Sequence, residues 1–319
     1  MMTPPAVAAI ATPWHHYTLF GLCLRSARPM EFLTPAEPPA DGADVEVCFA
    51  PVIIPDTPVI YAPINVNVHA CGVVILSLDN GLKIRVEGGD RLTVELPAGL
   101  SEAALHALLF GPAMAILCHQ RGLPPLHASV ALIRGRGVAI AGDSGSGKST
   151  AARALLRRGH RLLSDDQAII DNKKLVVQPG YPSVKLWSKT AAATGDALDP
   201  LLRVYAGSEK YYLPMDDLFQ DKAVPLTLIL ALKPDSTLRH PAVQRLSSVH
   251  AVALLHRLVL RWGVMMALDN GQAAFDWASD LAQRVPVLLL RRPDDIERLD
   301  ELCERIEEVA TSLPFRVTP

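Results

Sequence analysis

Leu126-His-Ala-Ser-Val-Ala-Leu-Ile133, then Arg134-Gly-Arg-Gly137, then Val138-Ala-Ile-Ala141 run without a break into Gly142-Asp-Ser-Gly-Ser-Gly-Lys148-Ser149. The first and third pieces read as strands with a glycine turn between them, so a hairpin feeds its second strand straight into a glycine loop. The loop satisfies G-x-x-x-x-G-K-[ST], in which glycines let the backbone curl until successive N–H groups point at one anion. Lys148 can reach the β and γ phosphates, Ser149 can ligate magnesium, and the following helix adds the positive end of its dipole. Chance would produce this pattern in roughly one chain in a hundred of this length, and here the required strand and helix flank it. Gly142, Asp143, Ser144, Gly145, Ser146, Gly147, Lys148, Ser149 and Thr150 are therefore the candidates for holding a nucleoside triphosphate with Mg2+.

Thr150 to Arg158 reads as a helix closed by Gly159, and His160-Arg-Leu-Leu-Ser164 reads as a strand delivering Asp165 and Asp166 at its end. That is where a P-loop protein keeps its metal-binding carboxylate. One aspartate suffices for magnesium. A second can accept the proton of a hydroxyl nucleophile, and phosphoryl transfer asks little more of a protein than positioning, charge neutralisation and such a base. Adjacent residues on an extended strand face opposite ways, so the two divide the work, but the pattern leaves open which takes which role.

Upstream the chain is mostly sheet. Residues 1 to about 16 read as a loose arm, and Tyr17–Leu24 and Val45–Phe49 as short β-runs around a Pro/Gly/Ala-rich stretch over 35–43. Val73–Leu78 and Leu82–Val86 flank Asp79-Asn-Gly81, predicting a hairpin with a tight primed turn, and Gly88-Gly-Asp90 marks a second turn. Ser101 caps a helix running to Gly122 with a bend near Gly111-Pro112. Downstream, 168–177 reads as a further hairpin, 180–213 as an irregular active-site loop region, and Leu226–Leu232 as a strand. Helices are expected over 247–261 and 273–284, a buried strand over 285–290, and an amphipathic helix over 293–310 able to dock on its own domain or cover a neighbouring subunit. The fold class is α/β, with a β-rich region over 1–122 and a second unit over 123–319. Lys185, Arg203 and Lys210 in the irregular segment can clamp anions, Lys210 ranking first. Trp187, Tyr181, Tyr211 and Tyr212 either line a peptide groove or pack the loop onto the core.

Half of the 319 residues are hydrophobic, and 31 Lys and Arg nearly balance 33 Asp and Glu. No global field draws such a chain to nucleic acid or anionic membrane. Five cysteines, scattered and without metal spacing, read as thiols in a reducing cytoplasm. The proline-interrupted start gives no secretion signal, and the apolar runs are too short or interrupted to predict a membrane span.

At His127, the hairpin, the glycine loop, Arg158-Gly-His-Arg-Leu-Leu163 and Asp165-Asp166, the chain resembles the catalytic domain of the HPr kinase/phosphorylase family, whose fold is related to that of phosphoenolpyruvate carboxykinase. The resemblance implies an ATP- and Mg2+-dependent serine kinase, with Lys148 on the phosphates, Asp165 as base, His127 helping to set its charge state, and Asp166 with Ser149 holding magnesium. It also implies a homo-oligomer. The glycine-rich stretch that family members acting on the phosphocarrier HPr carry downstream is replaced by Pro179-Gly-Tyr-Pro-Ser-Val-Lys-Leu-Trp187 and Glu209-Lys-Tyr-Tyr-Leu-Pro214. The wider layout is similar to HPr-kinase-related proteins of peptide-tailoring pathways, lasso-peptide clusters included, which implies a serine on a precursor peptide as acceptor, with HPr or a small-molecule hydroxyl as alternatives; a non-catalytic nucleotide-binding regulator is the further alternative, against which Lys148, Ser149 and the Asp165-Asp166 pair argue.

Overall fold

A computed structural model describes residues 14–205 and 207–313. The expected arm falls outside them except for its last three positions, where His15 and His16 already belong to a strand. The expected run Tyr17–Leu24 is two strands, β1 (His15–Leu19) and β2 (Leu22–Ser26), folded at Phe20-Gly21. Both turn residues are left-handed (φ 55° and 75°), the geometry that matches strand twist in a tight hairpin. Periodicity missed the break because Phe20 remains apolar and buried through it. With β3 (Thr34–Pro35), β4 (Val45–Phe49), β5 (Val59–Tyr61), β6 (Val66–His69), β7 (Val74–Ser77), β8 (Lys83–Glu87) and β9 (Arg91–Glu95) these form a nine-stranded sheet in the order β3-β1-β2-β4-β9-β8-β7-β6-β5. The β7–β8 hairpin forms as expected, but only Gly81 of Asn80-Gly81 is left-handed (φ 88°), so the connection is wider than a primed turn.

Ser101 Oγ accepts the Ala104 N–H at 3.2 Å and starts α1 (Glu102–Leu108). The bend near Pro112 is a π-helical turn over Leu109–Ala113, where proline offers no N–H, before α2 (Met114–Gln120). By length and composition Glu102–Gln120 could cross a membrane, but 72% of it is buried inside the protein. Leu105, Leu109, Met114 and Leu117 fill one core with the inward residues of the nine-stranded sheet.

The second sheet holds the quoted stretch. β10 (Ala128–Ile133) and β11 (Arg136–Ala141) make the expected hairpin around left-handed Arg134-Gly135, and α3 (Lys148–Arg157) follows the loop. β12 (Arg161–Ser164), β13 (Ile170–Asp171), β14 (Val176–Val177) and β17 (Val224–Pro234) complete the order β12-β10-β11-β17-β14-β13, with β19 (Val287–Arg292) on β17 and β18 (Ala242–Arg245) on β19. β11, β17 and β19 are parallel. Alternation sorts their side chains: Val138 and Ile140 pack under α3 and the terminal helix α8 (Leu299–Ser312), while Ala139 and Ala141 face α5 (Ser248–Arg257) and α7 (Gln272–Arg284). The result is a three-layer α/β/α unit. The amphipathic C-terminal segment docks on this chain through Leu302, Ile306 and Val309, after a 3₁₀ turn at Ile296–Arg298.

The stretch over 180–213 is more regular than its Pro/Gly content predicts. β15 (Ser183–Trp187) pairs antiparallel with β16 (Lys210–Pro214), and α4 (Ser188–Thr194) leads away from β15. Sequence separation hid this ladder, since the partners lie 23 to 31 positions apart. The helix expected to reach Arg261 ends at Arg257, and left-handed Arg261 (φ 57°) opens α6 (Trp262–Asp269).

Candidate active site

Ala141 pairs with Ala231 at the carboxyl ends of parallel β11 and β17, so the glycine loop sits where open α/β sheets bind ligands. Only glycine fits at 142, where a Cβ would lie 2.7 Å from the Leu232 carbonyl oxygen and 2.8 Å from Ser146 Oγ. Gly145 and Gly147 are left-handed, at 80° and 99°. Lys148 is buried and folded onto its own loop, donating to the carbonyls of Gly142 (2.9 Å) and Asp143 (2.8 Å). Arg292, from the end of β19, ties the loop from outside by donating Nε–H to the Ser146 carbonyl at 3.0 Å. The Asp143 side chain turns outward to Arg257, 2.6 Å away, leaving its carbonyl as its contribution to the loop. Ser146 Oγ is buried with no hydrogen-bond partner.

Burial lowers the Lys148 pKa to about 8. Below that value the ammonium is charged and can hold phosphate; above it the free protein loses the charge. Nucleotide affinity should thus fall by up to about tenfold per pH unit above pH 8, read by calorimetric titration from pH 7 to 9.5. A flat profile would remove Lys148 from phosphate binding.

The aspartates do have separate places. Asp165 is buried and accepts from Ser129 Oγ (2.5 Å), from Ser149 Oγ (2.9 Å to Oδ1) and from the Lys185 backbone N–H (2.9 Å to Oδ2). Asp166 takes a left-handed backbone (φ 73°) that ends the strand and turns its carboxylate away, onto Lys185 Nζ at 3.0 Å. Ser149 thus bonds Asp165, while Asp166, which the resemblance groups with Ser149 around magnesium, bonds Lys185. The turn is fixed by Ser164 Oγ donating to the Gln167 carbonyl (2.5 Å), and Gly180 is required beside it because a Cβ there would meet Ser164 Oγ at 2.5 Å.

One cleft of about 720 Å³ collects His127, Ser144, Gly145, Gly147, Lys148, Ser149, Thr150, Asp166 and Lys210, together with Lys185 and Trp187. Gly142, Asp143, Ser146 and Asp165 are not among the residues lining it. The Lys185 ammonium holds the Asp166 carboxyl well below the usual range, helped by Lys210 and His127. Burial opposes the charge on Lys185, yet Tyr181, Asp166 and Tyr212 around it raise its pKa well above the ordinary value. Burial first, and then Lys148, push the His127 pKa down to about 4, so its imidazole is neutral near pH 7. A separate cavity of about 460 Å³, bordered by Cys71, His119, Met265 and Asp269, contains none of the predicted residues.

Of the three cations singled out in sequence, Lys185 is the most deeply placed and Lys210 lines the cleft, its Nζ 6.0 Å from the Trp187 ring centre. Arg203 instead stacks over Tyr211 at 5.1 Å. Tyr181, Tyr211 and Tyr212 are core residues, while Trp187 stays 51% exposed at the cleft wall. Ser129 and Arg292 were not anticipated. For Ser129 the signal existed, since it lies two positions from His127 on one strand face; for Arg292 none did.

The residues fit a magnesium-bound nucleotide. The loop leaves the buried Ser146 hydroxyl unpartnered and Lys148 spent on its own carbonyls, and Ser149 stands beside a carboxylate. Among the described residues no cluster of three or more His, Cys, Asp or Glu could cage a metal.

Residues 124–182, which hold His127, Ser129, the loop and both aspartates, match the HPr Serine kinase C-terminal domain. Here the chain is HPr kinase-like. The chain is 57% identical over 42 residues to the HPr kinase/phosphorylase of Limosilactobacillus reuteri (strain DSM 20016), which is 13% of each chain. It is 46% identical over 57 residues, 18% of each chain, to that of Shouchella clausii (strain KSM-K16). The chain thus spans less than a fifth of the length of these curated relatives. The solved HPr(Ser) kinase/phosphatase of Coxiella burnetii aligns with 59% of this chain and 99% of its own at 14% identity and a TM-score of 0.32, too loose a likeness to carry argument. The HPr kinase-like match stops three residues before Lys185, so Lys185, Trp187, Lys210 and Arg292 lie outside it.

Proposed function

We propose that this chain is a phosphotransferase that moves the γ-phosphoryl group of ATP to a serine hydroxyl. One observation carries the reading: the glycine loop with Lys148 and Ser149, and the strand end bearing Asp165 and Asp166, converge on a single cleft ringed by Lys185 and Lys210. The loop and Lys148 hold the phosphates. Ser149 and Asp165 would hold magnesium, which when bound neutralises charge on the phosphate oxygens. Asp166, facing the cleft and kept ionised by Lys185, accepts the serine proton, and neutral His127 beside it adds no competing charge. This exchanges the two aspartate roles that the family resemblance implies, on the ground that Ser149 bonds Asp165. Lys185 and Lys210 stabilise charge on the transferring group.

A precursor-peptide serine is the acceptor this reading favours, because the acceptor side is built from β15 and β16, the segments that replace the glycine-rich stretch, and exposed Trp187 borders it. HPr is the second reading, favoured by the family model that matches the catalytic segment and by the names of the curated relatives. We further propose that residues 123–319 act as the kinase unit, that the chain works in the cytoplasm, which its five free thiols suit, and that it forms a homo-oligomer. Mass spectrometry after incubation with ATP, Mg2+ and either a serine-bearing precursor peptide or HPr tests the acceptor. A gain of one phosphoryl mass on the peptide is expected. Transfer to HPr alone would replace the first reading by the second, and transfer to neither would leave a small-molecule hydroxyl.

A further inference from the structure

We propose that the nucleoside end of the nucleotide lies on the wall formed by Pro293, Asp294, Ile296 and Leu299, a subsite that gives the protein its preference for a nucleotide over bare polyphosphate. This rests on the triphosphate reading of the loop and extends it. The cleft has two chemically different ends. At one, Lys148, Asp166, Lys185 and Lys210 gather, and Trp187 belongs with them because it faces Lys210 across the β15–β16 ladder, two residues beyond Lys185. That cationic end suits the γ-phosphoryl group and the acceptor. A triphosphate seated on the loop with its γ-phosphoryl group there must leave the loop at the other end.

The other end is different in kind. Beyond Arg292, which is committed to the Ser146 and Pro293 carbonyls, the wall presents Ile296 at 45% exposure, with Leu299 and Leu302 behind it. A large aliphatic side chain left half-exposed inside a cleft is the surface a planar base covers, with the hydrophobic gain of removing both from water. The polar groups agree. Asp294 keeps most of its carboxylate in solvent while facing Arg292 at 3.3 Å, and Asp295, 3.8 Å from Arg298, borders the same wall. Carboxylates there repel phosphate but accept hydrogen bonds from ribose hydroxyls or an exocyclic amine.

Calorimetric titration of the full chain with ATP and with inorganic tripolyphosphate, both with Mg2+, tests this. The wild-type protein is expected to bind ATP more tightly than tripolyphosphate. Ile296→Ser, an uncharged change at an exposed position, should weaken ATP at least fivefold and leave tripolyphosphate within twofold. Equal binding of both ligands by the wild-type protein would overturn the subsite while leaving the phosphate loop standing; binding of neither would overturn the triphosphate reading as well. Loss of ATP preference in Trp187→Ala, with Ile296→Ser unaffected, would move the base to the opposite wall and overturn the assignment.

Discussion

Asp166→Asn should lower the phosphoryl-transfer rate by about 10²–10⁴-fold, the usual worth of a positioned general base, while ATP binds as tightly as before or more tightly. Asparagine keeps the shape and still accepts from Lys185 Nζ, so the cleft retains its form. It cannot take a proton. Removing a negative charge beside the phosphates can only favour their binding, and kcat and Kd therefore separate. Asp165→Asn is the contrasting variant. Its carboxylate accepts from Ser129, Ser149 and the Lys185 N–H, so the amide must place an NH2 group against at least one of these donors. The expected result is weakened Mg2+-dependent ATP binding together with a lower melting temperature. If instead Asp165→Asn abolished transfer with binding and stability intact, and Asp166→Asn still turned over, the base would be Asp165 and the division drawn from Ser149 would be wrong.

How much of this was readable in sequence follows from how local each signal is. The loop, its flanking strand and helix, and the aspartates all lie between Arg136 and Asp166, and local spacing decides them. The β10–β11 hairpin, α3, the Ser101 cap and the docked terminal helix were legible for the same reason. What escaped depended on pairings across distance or on rare backbone states. Lys185 was one of three candidate clamps, ranked below Lys210, until β15 met β16 and brought its N–H to one aspartate and its Nζ to the next. Left-handed Phe20 and Arg261 reversed or redirected the chain where their residue types argue against it, and left-handed Asp166 did so where its type permits the state without predicting it. The aspartate division was invisible for the last of these reasons: alternation predicts opposite faces, but only the φ of Asp166 decides which carboxylate reaches the cleft.

Lys185→Met carries the second large effect, because that ammonium controls the base. A drop in kcat/KM of about 10²-fold is expected from losing a cation aimed at developing charge, but the diagnostic readout is the pH profile. With Lys185 present the Asp166 carboxyl is held well below its ordinary value, so ionisation of Asp166 limits nothing at pH 4 and above. Without it, burial is opposed only by the weaker influence of Lys210 and His127, and the pKa rises. An acid limb should then appear in kcat/KM at about pH 4 or higher, where an ordinary aspartate sits, the rate falling as Asp166 protonates. Lys185→Arg restores the charge and should remove that limb even if geometry keeps the rate low. Stability has its own sign. A lowered Asp166 pKa contributes stability above about pH 4 that is lost as pH falls through the folded value, and a raised Lys185 pKa contributes stability below about pH 10 that is lost as pH rises. The melting-temperature gap between wild type and Lys185→Met should therefore be widest between those limits and close towards both. Its size stays under the ~3–5 kcal/mol of a fully buried broken pair, since 30% of the Asp166 side chain remains exposed to water. A rate and pH profile unchanged in Lys185→Met would show that the ion pair is scaffolding for β15 and takes no part in catalysis.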